Sequence, residues 1–513
     1  MAGRKSLQHL RAAAVLALAA VLAACGADSG HKDMPATGGK AAPATGYGPP
    51  GTPEGLAQGA ATPTGEAAGR ATNGEVSAAE RPVSTFAVDV DTASYGFARR
   101  TLLSGRRPAA NTIRPEEFVN SFDQRYRAPD GNGFAITADG TRMPQTHRGA
   151  DDDTRLLRVG LQTRGESDAS RPDAALTFVV DVSGSMAEPG KLDLVQHGLN
   201  TLVDQLRPTD SVALVAYSDR AELLRPMTPM RDRDALRDAI GRLRVAGSTN
   251  LEAGLRLGYD TARKAFRSSA TNRVILLSDG LPNVGTTDAT PLVREIQEAA
   301  AKQITLLGVG VGSDYGDRFM EQLADKGDGY VVYVSEQTEA DRVFVQQLPA
   351  TVALRALDAK AQVEFDSKTV LSYRLIGYDD RALSASAFRD DRVDGGEVGS
   401  GHAVTALYAL RLRPGAQGHL ADVRVRWLDP KTREASELAQ PVTVSALDQT
   451  FDEASAPVRV CYVTAYLAEV LRGSRHAGDV RLTDLRTIAR NAGEGPQIRE
   501  LAEMISAAVS LYD

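Results

Sequence analysis

The sequence predicts an α/β fold class: a doubly wound, mostly parallel sheet that is inserted in or flanked by an antiparallel β-sandwich, with a C-terminal helical region. Three observations predict it. Residues 171–350 alternate apolar strands with amphipathic helices, which is typical of a parallel sheet covered on both faces. Residues 361–446 change to a period of two, which is typical of antiparallel strands. From residue 455 the apolar residues return at helical spacing.

The first 24 residues predict a targeting segment rather than a folded element. Three basic residues precede an apolar stretch at 12–24 that is too short for a transmembrane helix. The stretch ends in Leu22-Ala23-Ala24-Cys25, which resembles the lipobox of bacterial lipoproteins. The resemblance implies cleavage before Cys25, lipidation of Cys25, and a location at the cell membrane on its extracytoplasmic face. The alternative is an ordinary secretory signal with a chance cysteine.

Composition limits the remaining possibilities. Residues 25–80 are rich in Ala, Gly, Pro and Thr and have almost no large apolar residues, so we expect a disordered tether. The formal net charge is −7 with no basic block, which argues against nucleic-acid binding. There is no phosphate loop, and the glycines at 308, 310 and 312 lack the spacing of a dinucleotide loop. Cys461 lies in an apolar stretch and is predicted to be a buried core residue.

Residues 81–170 predict a segment of helix plus strands before the α/β domain. The pattern alternates first and becomes helical from about Ser94, and Pro115 is typical of the first turn of a second helix. Two strands are predicted next, Phe134–Ala138 and Leu156–Thr163. Asp89 and Asp91 could form a D-x-D metal pair, but no further ligands lie beside them, so a structural role is favoured.

Residues 171–350 predict the α/β domain itself. Its predicted strands are a buried run from Leu176 that ends at Asp181, then Ser211–Tyr217, Val274–Leu277, Ile304–Val311 and Tyr330–Val334. Its predicted helices run from Leu192 to Leu206, after a cap at Asp232, from Leu251 to Phe266, from Pro291 to about Lys302, over Asp317–Ala324 and over Thr338–Leu348.

Residues 351–450 predict an antiparallel β domain, and residues 451–513 predict a helical domain of three short helices. The β domain has too few strands for two full sheets. We therefore expect the strands before residue 170 to complete it, which makes the α/β domain an insertion in a β-sandwich.

Three polar clusters are expected at one edge of the α/β sheet. Asp181, Ser183 and Ser185 follow the first strand, Thr249 lies in a loop before a helix, and Asp279 follows the Val274–Leu277 strand. The carboxyl ends of parallel strands meet at the same edge, where ligands bind. Carboxylate and hydroxyl oxygens suit Mg²⁺, Mn²⁺ or Ca²⁺ rather than zinc.

This set of residues resembles the metal-ion-dependent adhesion site (MIDAS) of von Willebrand factor type A (VWA) domains, which have a Rossmann-like fold. The resemblance spans about 171–350. The STFAVDVDTASY stretch, Arg374–Tyr378 and Gly401–Tyr408 also resemble bacterial VWA lipoproteins with a VWA-associated N-terminal segment and a C-terminal helical domain. The metal ligands that the resemblance implies are Asp181, Ser183, Ser185, Thr249 and Asp279.

The predicted function is a cell-surface protein-binding module without catalysis. Few direct carboxylates leave a bound ion under-neutralised, so a Glu or Asp of a protein partner can complete its ligand shell. Two simpler interpretations are that the domain binds through another surface, or that the metal only stiffens the loops.

Two other functions stay open at this point. One is an accessory factor in the assembly of envelope proteins, which would use the same metal site on a client or an ATPase partner. The other is a metal-dependent phosphoesterase, which would need a second metal or a general base near Asp279. Asp219 and Asp288 are the candidates for that base.

Overall fold

The computed structural model describes residues 73–88, 91–148, 154–165, 171–280, 289–312, 320, 323–324, 326–327, 329–348, 354–393 and 395–512. The predicted targeting segment, Cys25, residues 26–72 of the predicted tether, Asp89 and Asp288 lie outside these residues. Residues 73–80 of the predicted tether are described, and there the prediction of disorder is wrong, because Val76–Ser77 is a paired strand and Ala78 is buried. Of the predicted Asp317–Ala324 helix, only residues 320 and 323–324 are described. None of the helices within the described ranges is long and apolar enough to cross a membrane.

Strands and helices alternate in the α/β domain, whereas strands predominate from residue 354 to 443 and helices follow from residue 456. The strands are β1 (Val76–Ser77), β2 (Val83–Ala87), β3 (Phe134–Arg142), β4 (Thr154–Thr163), β5 (Asp173–Asp181), β6 (Ser211–Tyr217), β7 (Ala221–Pro229), β8 (Ala270–Ser278), β9 (Ile304–Val311), β10 (Val331–Val334), β11 (Leu354–Phe365), β12 (Val370–Ile376), β13 (Ala382–Leu383), β14 (Gly396–Gly399), β15 (Ala403–Leu412), β16 (His419–Leu428) and β17 (Ala435–Thr443). The helices are α1 (Ala93–Leu103), α2 (Pro115–Asn120), α3 (Gln145–Arg148), α4 (Leu192–Gln205), α5 (Arg233–Ile240), α6 (Leu251–Lys264), α7 (Ala289–Ala300), α8 (Gln337–Asp341), α9 (Ala456–Leu471), α10 (Leu482–Ala492) and α11 (Pro496–Tyr512).

The α/β domain is built on a six-stranded sheet in the order β10-β9-β8-β5-β6-β7. All neighbouring strands are parallel except β6 and β7. Successive residues of β5 point to opposite faces, so Phe178 packs in the core beneath α4 and α5, whereas Val179 packs beneath α6 and α7. The sheet is therefore doubly wound, as the sequence predicts.

Two antiparallel sheets form the sandwich. One has the order β1-β12-β15-β4-β3, and the other has the order β13-β2-β11-β16-β17, with β14 paired to β11. Strands from before the α/β domain lie in both sheets, because β4 pairs with β15 and β2 pairs with β11. This confirms that the α/β domain is inserted in a β-sandwich.

The C-terminal helices α9, α10 and α11 pack together with α1 and α2 around a separate core, which includes Phe118, Tyr462 and Leu485. Cys461 lies in this core with no exposed surface and donates a hydrogen bond to Gln124 Oε1 at 2.9 Å. Burial raises the pKa of Cys461 to about 12. The sequence is correct that Cys461 is a buried core residue. We call residues 73–163 and 354–512, which form the sandwich and these helices, the scaffold.

Several local predictions need correction. The helix predicted to reach Phe266 ends at Lys264, and Phe266 is exposed. The helix predicted over Thr338–Leu348 changes after α8 into a π-helical turn, Arg342–Gln347. The antiparallel edge strand β7 has no counterpart in the prediction.

One acidic residue in the N-terminal part illustrates how the scaffold holds the inserted domain. Asp91 is buried and accepts a hydrogen bond from the backbone N–H of Val331 at 3.0 Å. Its second oxygen lies 3.5 Å from the Arg381 guanidinium. This supports the structural role predicted for Asp91.

Candidate metal centre

The first loop of the site follows β5, the central strand that ends at Asp181. The backbone N–H of Ser183 donates to Asp181 Oδ1 at 2.8 Å, which folds the loop back on the strand end. The hydroxyls of Ser183 and Ser185 then lie 3.1 Å apart. Ser183 is buried, whereas Ser185 is exposed, so the pair reaches from the sheet edge to the surface.

The second part of the site is Asp279, which directly follows β8. Since β5 and β8 are adjacent and parallel, with Val180 opposite Leu277, the two strands end side by side. Ser185 Oγ donates to Asp279 Oδ1 at 2.8 Å across a separation of 94 residues. Asp279 is buried. The structure thus brings Asp181, Ser183, Ser185 and Asp279 into one hydrogen-bonded cluster.

The third part is the loop that carries Thr249. Asn250 ends the loop as the N-cap of α6, and its side chain accepts a hydrogen bond from the Ala253 N–H at 3.1 Å. The loop is held against the first one, because the Gly184 N–H donates to Gly247 O at 3.0 Å. Thr249 itself is buried. Its loop therefore lies at the same sheet edge as the other four predicted ligands.

Three family models match different parts of the chain. The von Willebrand factor type A domain matches residues 175–347, and the C-terminal region of the uncharacterized protein YfbK matches residues 350–511. A model described as von Willebrand factor matches residues 65–151. Over 448 aligned residues, the chain is 31% identical to the uncharacterized protein YfbK of Escherichia coli (strain K12), with 82% of this chain and 76% of that protein covered. This chain belongs to the YfbK family.

Two further comparisons place the YfbK-family chain among other proteins. An uncharacterized protein of Synechocystis sp. is 24% identical over 361 residues, which is 67% of this chain and 84% of that protein. Among solved structures, a von Willebrand factor type A protein from Catenulispora acidiphila is 17% identical, has a TM-score of 0.46, and covers 72% of this chain and 89% of its own. VWA domains are typically non-catalytic interaction modules and commonly bind a divalent metal.

In the YfbK-family chain, Asp181 has two further hydrogen-bond donors that the sequence motif does not identify. Its Oδ2 accepts hydrogen bonds from Ser278 Oγ at 2.7 Å and from the Tyr217 hydroxyl at 3.2 Å. Burial raises the pKa of Asp181 above its ordinary value, although the hydrogen bonds from Ser183 and Ser278 act to lower it. Tyr217 and Ser278 are the last residues of β6 and β8, so their position beside Asp181 could be inferred from the strand order.

Lys191 is the other residue that the motif does not identify. Its Nζ lies 2.8 Å from Asp279 Oδ2 and 2.9 Å from Glu188 Oε2. Burial acts to lower the pKa of Lys191, but the hydrogen bonds to these two carboxylates outweigh it, so the pKa is raised. Both oxygens of Asp279 therefore already accept hydrogen bonds, one from Ser185 and one from Lys191.

Of the two residues proposed for phosphoester chemistry, only Asp219 is described. Its Oδ1 accepts a hydrogen bond from Ser218 Oγ at 3.0 Å. The same oxygen lies so close to Gly247, which has a φ of +61°, that a side chain at Gly247 would collide with it. Asp219 is exposed and lies beside the Thr249 loop.

The donor set fits a hard divalent cation. It offers carboxylates from Asp181 and Asp279 and hydroxyls from Ser183, Ser185 and Thr249, which are the oxygen ligands that Mg²⁺ prefers. Within the described ranges, no three His, Cys, Asp or Glu residues are grouped so that they could hold a metal, so a site rich in carboxylate or imidazole is not present there. An ion at this edge would depend on neutral hydroxyls and on water for much of its shell.

Proposed function

We propose that this chain is a protein-binding module of the cell envelope, anchored by lipid at Cys25 on the extracytoplasmic face, that captures an acidic side chain of a protein partner through a divalent cation. The cation is Mg²⁺, with Mn²⁺ or Ca²⁺ as alternatives. The observation that carries this proposal is the hydrogen bond from Ser185 Oγ to Asp279 Oδ1, which joins two of the predicted ligand loops.

The residues at the edge divide the work. The hydroxyls of Ser183, Ser185 and Thr249 provide neutral oxygen ligands. Hydrogen bonds from Ser183, Tyr217 and Ser278 fix the carboxylate of Asp181, which contributes a negative charge at the end of β5. When bound, the cation supplies a positively charged coordination position for a carboxylate of the partner. Ser185 is exposed, so this side of the cluster is open to a partner's side chain.

The first test is metal binding by the full mature chain, measured by isothermal titration with Mn²⁺. We expect one ion per chain and an affinity at least about tenfold lower in Ser185→Ala and Asp279→Ala. Asp238→Ala is the matched control, because it removes an exposed carboxylate from the same domain. Asp279→Ala leaves Lys191 without its buried partner and could therefore unfold the domain. Ser185→Ala tests the same site without breaking that ion pair.

The second test is crosslinking on intact cells. A partner captured through the metal should crosslink to the wild type and to Asp238→Ala but not to Ser185→Ala, and EDTA should abolish the product. Absence of Mn²⁺ binding by the wild type, or equal affinity in all four proteins, contradicts the metal site. Crosslinking that is insensitive to both EDTA and Ser185→Ala means that the partner binds elsewhere.

A further inference from the structure

A buried lysine lies within the proposed metal site. The side chain of Lys191 is only 4% exposed and that of Asp279 only 2%, so their 2.8 Å ion pair is shielded from water. Glu188, the second partner of Lys191, is 64% exposed, and water screens its charge. Lys191 is therefore matched chiefly to Asp279, a predicted ligand of the metal.

The position of this ammonium is fixed by packing. Lys191 directly precedes α4, and its backbone O accepts the Val195 N–H at 3.0 Å. Its aliphatic stem lies against Gly312, which has a φ of +96°, and a Cβ at Gly312 would come within 2.8 Å of Lys191 Cε. The absence of a side chain at Gly312 thus gives the lysine room beside the end of β9.

The charges at this edge decide what the site can bind. The carboxylates of Asp181 and Asp279 and the ammonium of Lys191 together leave one negative charge among the buried groups. A divalent cation turns this into one positive charge. Without Lys191, the same cation would be neutralised by the two carboxylates alone.

We propose that Lys191 is the specificity-determining residue of the site. Its fixed ammonium repels the incoming cation and so weakens metal binding in the absence of a partner. The loaded site keeps an excess positive charge, which favours an anionic carboxylate over a neutral ligand. The metal and the partner's carboxylate therefore bind cooperatively, because the bound cation leaves a positive charge that the carboxylate neutralises. This role rests on the divalent-cation site proposed above.

The test compares Mn²⁺ affinity in the full chain by isothermal titration. Lys191→Met keeps the packing on Gly312 but removes the charge. Because a unit charge a few ångströms away no longer repels the ion, we expect it to bind Mn²⁺ about tenfold more tightly than the wild type. Lys191→Gln, which can still donate to Asp279, should behave in the same way if Lys191→Met folds poorly. Lys264→Met is the matched control, because it removes an exposed lysine from the same domain, and it should match the wild type.

A second measurement uses acetate as the simplest carboxylate. Replacing chloride with acetate at constant ionic strength should raise the Mn²⁺ affinity of the wild type more than that of Lys191→Gln. Mn²⁺ affinity that is unchanged or weaker in both Lys191 variants overturns the role of Lys191 while leaving the metal site in place. Failure of every protein to bind Mn²⁺ would instead remove the metal site itself.

Discussion

The α/β domain and the scaffold are assembled from the chain in opposite ways. The six strands of the α/β sheet come from one continuous stretch, residues 173–334, and its polar groups gather at an edge that reaches the surface. The scaffold joins strands from both sides of that stretch and buries charges between its layers, for example at Arg374 and Glu469. Buried charge therefore joins separate segments in the scaffold, whereas at the edge of the α/β sheet we propose that it serves metal binding.

The largest loss of stability is expected on substitution of Glu469, which has no exposed side-chain surface. This substitution tests whether buried charge joins the segments of the scaffold. Its Oε1 accepts from Arg374 at 3.0 Å and from Arg472 at 2.8 Å, and the two arginines outweigh burial and lower the pKa of Glu469. Glu469→Ala leaves the buried Arg374 guanidinium without its carboxylate, while Arg472 keeps its ion pair with Asp379. The substitution should lower the free energy of unfolding by about 3–5 kcal/mol. Urea unfolding measures this change.

The control for that experiment is the exposed pair of Arg389 and Glu437. Glu437→Ala should cost less than about 1 kcal/mol, because water already screens this pair. Mn²⁺ affinity should be the same in both variants. If Glu469→Ala cost no more than Glu437→Ala, buried charge would not be what fastens α9 to β12.

A smaller effect, dependent on pH, is expected at Glu116 in α2. Its side chain is buried, and its Oε2 makes no hydrogen bond within the described part of the chain. Burial raises the pKa of Glu116 from its ordinary 4.5 to about 8. The folded chain therefore keeps this proton up to about pH 8 while the unfolded chain loses it above 4.5, so stability falls as the pH rises through this window.

Glu116→Gln, which resembles the protonated acid, should remove this pH dependence. Between about pH 5 and about pH 7.5, the wild type should lose about 3 kcal/mol more stability than the variant does. Urea unfolding across this range measures the difference between the two proteins. Parallel profiles would mean that Glu116 is ionised in the folded scaffold, and that it is compensated like Glu469.

The smallest of the three effects is expected in the α/β domain, at Gly258 in α6. A side chain here would collide with Val179 of β5. Gly258→Ala should cost about 1–2 kcal/mol, because overpacking exceeds the gain in helix propensity. Hydrogen exchange should report the loss within residues 171–348 and leave the scaffold protected.

Adding Val179→Ala should offset part of the cost of Gly258→Ala, because the two residues are in contact. If both changes loosened the scaffold as much as the α/β domain, the two regions would unfold as one unit. The α/β domain and the scaffold would then differ in how they are assembled from the chain but not in their stability.

How well the sequence predicts the fold differs between elements for physical reasons. The bounds of β6 and β9 are those predicted, because a strand buried on both faces is a short, continuous apolar run. The edge strand β7 escapes prediction because Pro226 and Pro229 interrupt its pattern and its residues are mostly exposed or half-buried. The π-helical turn after α8 has the same apolar spacing as an α-helix and leaves no separate signal.

Some residues of the candidate site can likewise be predicted from the sequence and others cannot. The strand ends and the motif predict that Asp181 and Asp279 lie at one edge of the sheet, and the folded chain confirms it. Lys191 escapes prediction, because a single lysine after a Pro-Gly pair is usually a solvated surface residue. Only the fold reveals that Gly312, more than a hundred residues away, lies beside its stem.

The insertion also constrains the order in which the molecule can form. Thr85 in β2 lies beside Gln362 in β11, which is 277 residues later in the chain. During synthesis from the N-terminus, β2 and β4 must therefore wait for their partner strands β11 and β15 until the inserted domain has been made. The inserted domain can fold first, and closure of the sandwich around its two ends is then the late, slow step that such distant pairings impose.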